Sequence, residues 1–177
     1  KLVLLRGAMG VGKSYFIKQY GLEPYTLSSD NIRLLMESPV LNKYGNYEIS
    51  QENNREVWKF LMNMVEKRMK KGEFIVVDAT HLTSDSIRKY KKLSEEYRYR
   101  VYVIDFSDIP IETALEQNRS RENYKMVSEE IIYKAYEVLK KENVPSFAEV
   151  INYKDAENII NLKPIDFSHY KKIHHIG

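Results

Sequence analysis

A lysine and a serine behind three glycines carry the clearest chemistry in this sequence. Gly7-Ala8-Met9-Gly10-Val11-Gly12-Lys13-Ser14 fits the spacing G-x-x-x-x-G-K-[ST]. Gly7, Gly10 and Gly12 let the backbone turn tightly and bring its N–H groups against phosphate oxygens. Lys13 then reaches the β- and γ-phosphates of a nucleotide, and Ser14 holds Mg²⁺. Val11 and Tyr15 complete the nucleotide-binding set on either side. A glycine turn that merely precedes Lys-Ser is the plain alternative. The flanking text argues against it, because an apolar run, Leu2 to Leu5, leads in and an amphipathic stretch, Tyr15 to Tyr20, leads out.

Three further groups have the types and spacing for phosphoryl transfer. Asp30 closes a β-prone stretch, Tyr25 to Ser29, with Arg33 one helical turn on. A carboxylate there can accept a proton, and a guanidinium can grip a phosphate through its planar fork. Asp30 reads equally well as a helix N-cap, which Ser-Asp-Asn supplies readily. Asp78 ends a second apolar run, Phe74 to Val77, where a carboxylate helps position Mg²⁺ or its water. His81 follows, and reads as a polar residue on the crevice rim because no second histidine lies at ligand spacing. The basic stretch Gln117-Asn118-Arg119-Ser120-Arg121, with Lys125 behind it, has the composition of an arginine lid or of a solvated basic face.

The elements that must position these groups follow from periodicity. Leu2–Leu5, Tyr25–Ser29, Phe74–Val77, Arg98–Phe106 and Asn158–Leu162 read as five strands. Val57, Trp58, Leu61, Met62, Val65 and Met69 recur at helical spacing and face a core. Ser84 to Tyr97 reads as one helix, and Pro110 opens another. Val127 to Glu142 reads as a third, with Ser128 as its cap. Pro39 to Ser50 has no periodicity and reads as a loop over the site. Alternating strands and helices predict an α/β fold with a parallel sheet, whose ligands sit at the carboxyl ends of the strands.

Composition sets the outer bounds. The 177 residues suit one domain with a sizeable core. A formal charge of +3 is too mild to argue for nucleic acid by itself. Some of the 14 tyrosines could stack on bases, though most should be core and surface residues. The absence of cysteine excludes disulfides and thiolate metal sites. No apolar run reaches about 18 residues, so no membrane span is expected, and a cytoplasmic location is the expectation. A chain that opens on a strand without Met reads as a piece of something longer.

With these parts placed, the chain resembles the kinase domain of polynucleotide 5′-hydroxyl kinases, in particular that of bacterial enzymes joining this kinase to a phosphatase and sometimes an RNA ligase. The likeness runs from Leu2 to about Leu162. It rests on Gly7–Ser14, on Ser29-Asp30-Asn31-Ile32-Arg33, on Val76-Val77-Asp78-Ala79-Thr80 and on Asn118-Arg119-Ser120-Arg121. The D-x-x-R after strand two is the most informative of these.

The resemblance implies a P-loop phosphotransferase fold, with an approximately five-stranded parallel sheet, helices on both faces and a helical lid. It implies ATP or another nucleoside triphosphate, with Mg²⁺, and an RNA or DNA acceptor carrying a 5′-hydroxyl. Asp30 is then the general base, Arg33 the grip on the acceptor strand and Arg121 the lid arginine. In the family an arginine often precedes the Asn of the lid motif. Here that position is Gln117 and Arg119 lies beyond the Asn, so Arg119 and Arg121 both stand as candidates for ATP contact. The kinase domain spans residues 1–163. The tail, 164–177, resembles the opening strand of a downstream metallophosphoesterase, or is an ordinary terminal strand. A homodimer is compatible with the resemblance. The alternatives are a small-molecule kinase for a nucleoside, sugar or antibiotic, and a nucleotide-dependent binding module.

Overall fold

The computed structural model describes residues 1–161. Its centre is β1, Leu2–Arg6, in which every residue is buried. A strand with no polar face must be covered on both sides, and this one is. Val3 and Leu5 point into one core, with Phe16, Ile17, Leu115 and Ile132. Leu2 and Leu4 point into the other, with Ile32, Val57, Leu61 and Val65. Each such side chain contributes about 1.5–3 kcal/mol relative to exposure.

The parallel sheet has the order β2 (Thr26–Ser28), β5 (Ile75–Asp78), β1, β6 (Val101–Asp105), β7 (Ala148–Asn152). On the first core lie α1 (Lys13–Gln19), α6 (Ile111–Arg119), α7 (Glu129–Lys141) and α8 (Glu157–Ile160). On the second lie α2 (Ser29–Met36), α3 (Asn54–Lys70) and α4 (Ser84–Arg88). A short α5 (Lys91–Glu96) completes the helices. The chain winds to one side of β1 and then crosses to β6 on the other. The crevice at the carboxyl ends of β1 and β6 is the switch point where such sheets bind ligands. Register brings Ser28 beside Asp78 and Arg6 beside Asp105 along that edge.

Four expectations are corrected. The fifth strand is Ala148–Asn152 rather than Asn158–Leu162; residues 157–160 form α8, and Leu162 lies outside the described residues. A short apolar run suits either element, and here it caps a core already closed by β7. The helix expected over 84–97 is two helices, interrupted at Lys89–Tyr90, where the fully buried Tyr90 turns inward. Residues 40–48 are a two-stranded hairpin, β3 (Val40–Leu41) against β4 (Tyr47–Glu48), inside the expected loop. Ser128 sits at the N-cap of α7, but its hydroxyl accepts no capping bond. The tail 164–177, with its histidines, lies outside the described residues.

Candidate active site

The loop after β1 is built around the left-handed residues Gly10 and Gly12, at φ 88° and 103°. Gly10 is obligatory on steric grounds: a Cβ there would lie 2.3 Å from the Ala114 carbonyl oxygen of α6. The loop is therefore wedged against the lid helix. Gly7 N–H donates to Thr80 O at 3.0 Å, which fastens the loop's start to the segment after β5. Gly12 is the N-cap of α1 and, having no side chain, offers no cap of its own to the helix's first donors. Those donors and the helix dipole make a ready anion site.

Lys13 is half-exposed as a residue, but its ammonium is turned inward, donating to Gly7 O at 2.5 Å and Ala8 O at 3.1 Å. Burial pulls its pKa down to about 8, against the opposing pull of Asp78 and Asp30, while Arg121 lowers it further. Asp78, at the end of β5, is pushed up chiefly by burial; Lys13 and Arg121 hold it down and Asp30 adds to the rise. These mutual influences bring Lys13, Asp30, Asp78 and Arg121 together in one electrostatic cluster. Arg121 Nη1 is buried and finds no hydrogen-bond partner among the described residues. Arg119 points elsewhere, with its Nε and Nη2 donating to Glu129 Oε1 at 3.0 and 2.7 Å. The cluster thus receives Arg121 and not Arg119.

Asn118 sets that choice. It is buried, donates to Val127 O at 2.7 Å and accepts from Val127 N–H at 3.0 Å. The two bonds clamp the turn that carries Arg121.

On the other side, Ser28 rather than Asp30 caps α2, accepting from Asn31 N–H at 3.3 Å. That leaves Asp30 exposed at the cleft, with Arg33 Nε 3.7 Å from its Oδ1. Arg33 is buried, and its Nη2 donates to Asn54 Oδ1 at 2.7 Å. Its Nη1 is buried with no hydrogen-bond partner among the described residues. Burial lowers the Arg33 pKa, with Asp30 opposing; the group stays a cation.

His81 departs from its expected place. It is 2% exposed, not on the rim. Its Nδ1 lies 2.6 Å from Leu5 O, which can only accept, so Nδ1 carries the proton. Nε2 then accepts from Tyr90 O–H at 2.9 Å. Burial lowers its pKa to about 4, and it stays neutral behind the loop.

Sequence reasoning missed the cleft beside the loop. A pocket of about 560 Å³ is lined by Val11, Gly12, Tyr15, Asp108, Gln117, Tyr153 and Lys154, among others. Tyr153 stacks on Phe106, with centroids 5.1 Å apart at 11°. Only the pairing of β6 with β7 brings Tyr153 to the loop, and no local pattern encodes that. Tyr15 and Ser14 open toward solvent at the start of α1.

The residues present fit a nucleotide and its magnesium ion. The orphaned Arg121 Nη1 and the open α1 N-terminus are built for oxyanions. Among the described residues no group of three or more carboxylates and imidazoles converges. The ion would therefore rest on Ser14, on water held by Asp78 and on the nucleotide's own phosphates, as Mg²⁺ commonly does.

The family described as "AAA domain" matches residues 2–142, most of the chain. This chain belongs to that family, as a domain of the P-loop kinase type. It is 28% identical over 150 residues to a protein of Autographa californica nuclear polyhedrosis virus, named provisionally as a bifunctional polynucleotide kinase/RNA ligase. That match covers 81% of this chain and 21% of the viral one. A chain of the Pnkp1/Rnl/Hen1 RNA repair complex superimposes with a TM-score of 0.62 at 20% identity, over 93% of this chain and 47% of that one. The tunicamycin resistance protein of Deinococcus radiodurans superimposes with a TM-score of 0.57 at 13% identity, over 93% and 98%. The chain spans about a fifth of the viral protein's length and about half of the repair-complex chain's. No helix among its described residues is long and apolar enough to cross a membrane.

Proposed function

We propose that this domain transfers the γ-phosphoryl group of ATP, or another nucleoside triphosphate, to the 5′-hydroxyl end of RNA or DNA. The hydroxyl oxygen attacks Pγ, the bond from Pγ to the bridging oxygen breaks, the nucleoside diphosphate leaves, and Asp30 takes the hydroxyl proton. Such transfer needs positioning and charge neutralisation more than covalent chemistry. Lys13 and Arg121 offset charge on the γ-phosphoryl oxygens, and Mg²⁺, held as above, supplies further neutralisation when bound. The pocket lined by Gln117, Tyr153 and Lys154 takes the nucleoside of the donor.

The observation that carries this reading is Arg33. It is a buried guanidinium beside the candidate base, and its Nη1 has no hydrogen-bond partner among the described residues. A fixed cation next to the reacting hydroxyl suits an acceptor with a phosphate one nucleoside along. The polynucleotide kinase named in the viral relative supports the same acceptor. The partial coverage of the relatives also fits a kinase domain joined to further end-repair modules.

A second reading has its own support. The solved chains covered almost whole include the tunicamycin resistance protein and a provisionally named kinase of Chloroflexus aurantiacus, the latter matched over 96% of its length. On that reading the acceptor is a small-molecule hydroxyl.

One comparison decides between them. A nucleoside 3′-phosphate should be phosphorylated at least tenfold better, by kcat/KM, than the bare nucleoside. Arg33→Ala should erase the difference and leave the Kd for ATP unchanged. Equal use of both acceptors by the unaltered protein would remove the polynucleotide reading and favour the small-molecule one.

A further inference from the structure

Exposed apolar side chains are unevenly spread. Leu35, Met36, Leu41, Tyr44 and Tyr47 fall within thirteen consecutive positions, on the end of α2 and on the β3–β4 hairpin. Two strands of two residues cannot bury a core of their own. This hairpin is nonetheless held in shape. Asn42 N–H donates to Asn46 O, and the Asn42 side chain accepts from Tyr44 N–H and Asn46 N–H at 2.9 and 3.0 Å. Asn42 Nδ2 donates to Glu48 at 3.3 Å.

The ribbon has two unlike faces. Leu41 pairs with Tyr47, and Val40 with Glu48. Side chains alternate along a strand, so Leu41 and Tyr47 share a face. That face is turned outward, at 63% and 58% exposure, while Val40 is half-buried. Tyr44 is held out at the tip, with the Lys43 ammonium 5.1 Å from its ring centroid. Preorganised aromatic rings with a cation beside them suit a base stack and its backbone.

The hairpin's position gives the occupant. Both its roots are tied at the acceptor side of the site. Arg33 donates to Asn54 as the chain re-enters α3, and Asn53 Nδ2 donates to Glu37 at 3.0 Å as the chain leaves α2. Glu37 lies four residues beyond Arg33, about 6 Å along the helix. A strand whose first internal phosphate rested on Arg33 would have the hairpin as a neighbour along the line from Arg33 to Glu37.

We propose that the β3–β4 hairpin is a stacking platform for single-stranded nucleic acid, receiving bases of the acceptor downstream of its 5′ end on Tyr44 and Tyr47 with Lys43 against the backbone. This rests on the polynucleotide reading above. Stacking accepts any base, so the platform adds affinity and length preference without sequence preference.

The test uses three acceptors with the intact chain: a nucleoside 3′-phosphate, which is too short to reach the hairpin, and single- and double-stranded 5′-hydroxyl oligonucleotides of ten nucleotides. The wild type should show a lower KM for the single strand than for the monomer or the duplex. Tyr44→Ala and Tyr47→Ala should each raise the single-strand KM about fivefold to a hundredfold. They should leave kcat, the monomer KM and the melting temperature unchanged, and Tyr→Phe at either position should keep the low KM. An unchanged single-strand KM in both alanine variants overturns the proposal. A change in sedimentation with that KM unchanged overturns it in favour of a second copy of the chain on this face. If the wild type phosphorylates neither oligonucleotide nor the monomer, the polynucleotide reading itself fails, a result visible without any variant.

Discussion

At the residue scale, Asp30 separates chemistry from architecture. Because Ser28 caps α2, Asp30→Asn removes proton acceptance without touching the cap. kcat should fall about a hundred- to ten-thousand-fold while the melting temperature and ATP affinity hold. A loss confined to thermal stability would return Asp30 to a structural role. Lys13 gives a prediction in pH. Its folded pKa is about 8, below the ordinary 10.5. The cost of burying its charge is present in full below pH 8 and is relieved as pH rises toward 10.5, so this group adds stability across that window. Triphosphate binding has the opposite requirement, since it needs the ammonium. Above pH 8 each binding event should take up a proton, and ATP affinity should fall by up to about tenfold per pH unit. Calorimetry at pH 9 in two buffers of different ionisation enthalpy measures that uptake, and identical enthalpies would refute it. The sequence marks these two residues because their immediate surroundings are local: the glycine loop before Lys13, and the Ser28 cap and Arg33 on either side of Asp30. It misplaced His81, whose partners, Leu5 and Tyr90, include one 76 positions away.

At the scale of elements, legibility followed how local each element's cause is. The runs Leu2–Leu5 and Phe74–Val77 are apolar throughout because both faces of the inner strands are covered. The edge strand β7 escaped notice since Glu149 and Val150 are exposed and its pattern is nearly that of a loop. The helical stripe of α3 was plain; the break between α4 and α5 depends on burying Tyr90 and leaves no signature. The glycine loop shows the same division. Its residues announce phosphate binding, but not that α6 presses on it. Gly10→Ala and Gly45→Ala isolate the difference. Both residues have positive φ, 88° and 81°, so both changes carry the conformational penalty of about 1–2 kcal/mol. At Gly45 the added methyl meets nothing within 4 Å, whereas at Gly10 it meets the Ala114 carbonyl oxygen at 2.3 Å. Gly45→Ala should lower the melting temperature modestly and leave ATP turnover intact. Gly10→Ala should displace loop from lid and weaken ATP binding more than tenfold, read with a fluorescent nucleotide. Equal nucleotide affinity in the two variants would show that the contact with α6 does not hold the loop.

At the scale of the whole molecule, one buried arginine joins what the chain order keeps apart. Arg6 is 4% exposed at the end of β1, immediately before the glycine loop. Its Nη1 donates to Asp105 Oδ1 at 3.4 Å, and its Nη2 donates to Leu82 O at 3.2 Å and Glu142 O at 3.3 Å. It therefore ties the central strand to β6, to the segment after β5 and to the C-terminal end of α7, the far end of the lid. Nothing local in the sequence marks it; its partners lie 76 to 136 positions away. Asp105 keeps Ser107 as a second partner, at 3.1 and 2.7 Å, so removing Arg6 does not strand a bare carboxylate. The two carbonyls do lose their donor, and a cavity opens beneath the loop. Arg6→Ala should cost about 2–4 kcal/mol, which for a chain of this length is roughly 5–15 °C of melting temperature. Because α7 loses its tie to the sheet, the KM for ATP should rise more than kcat falls. Arg6→Lys, a cation without the fork, should restore the contact with Asp105 but not both carbonyl bonds, and should fall between the two. An alanine variant that melts with the wild type would mean that packing alone, without this arginine, holds lid and sheet together.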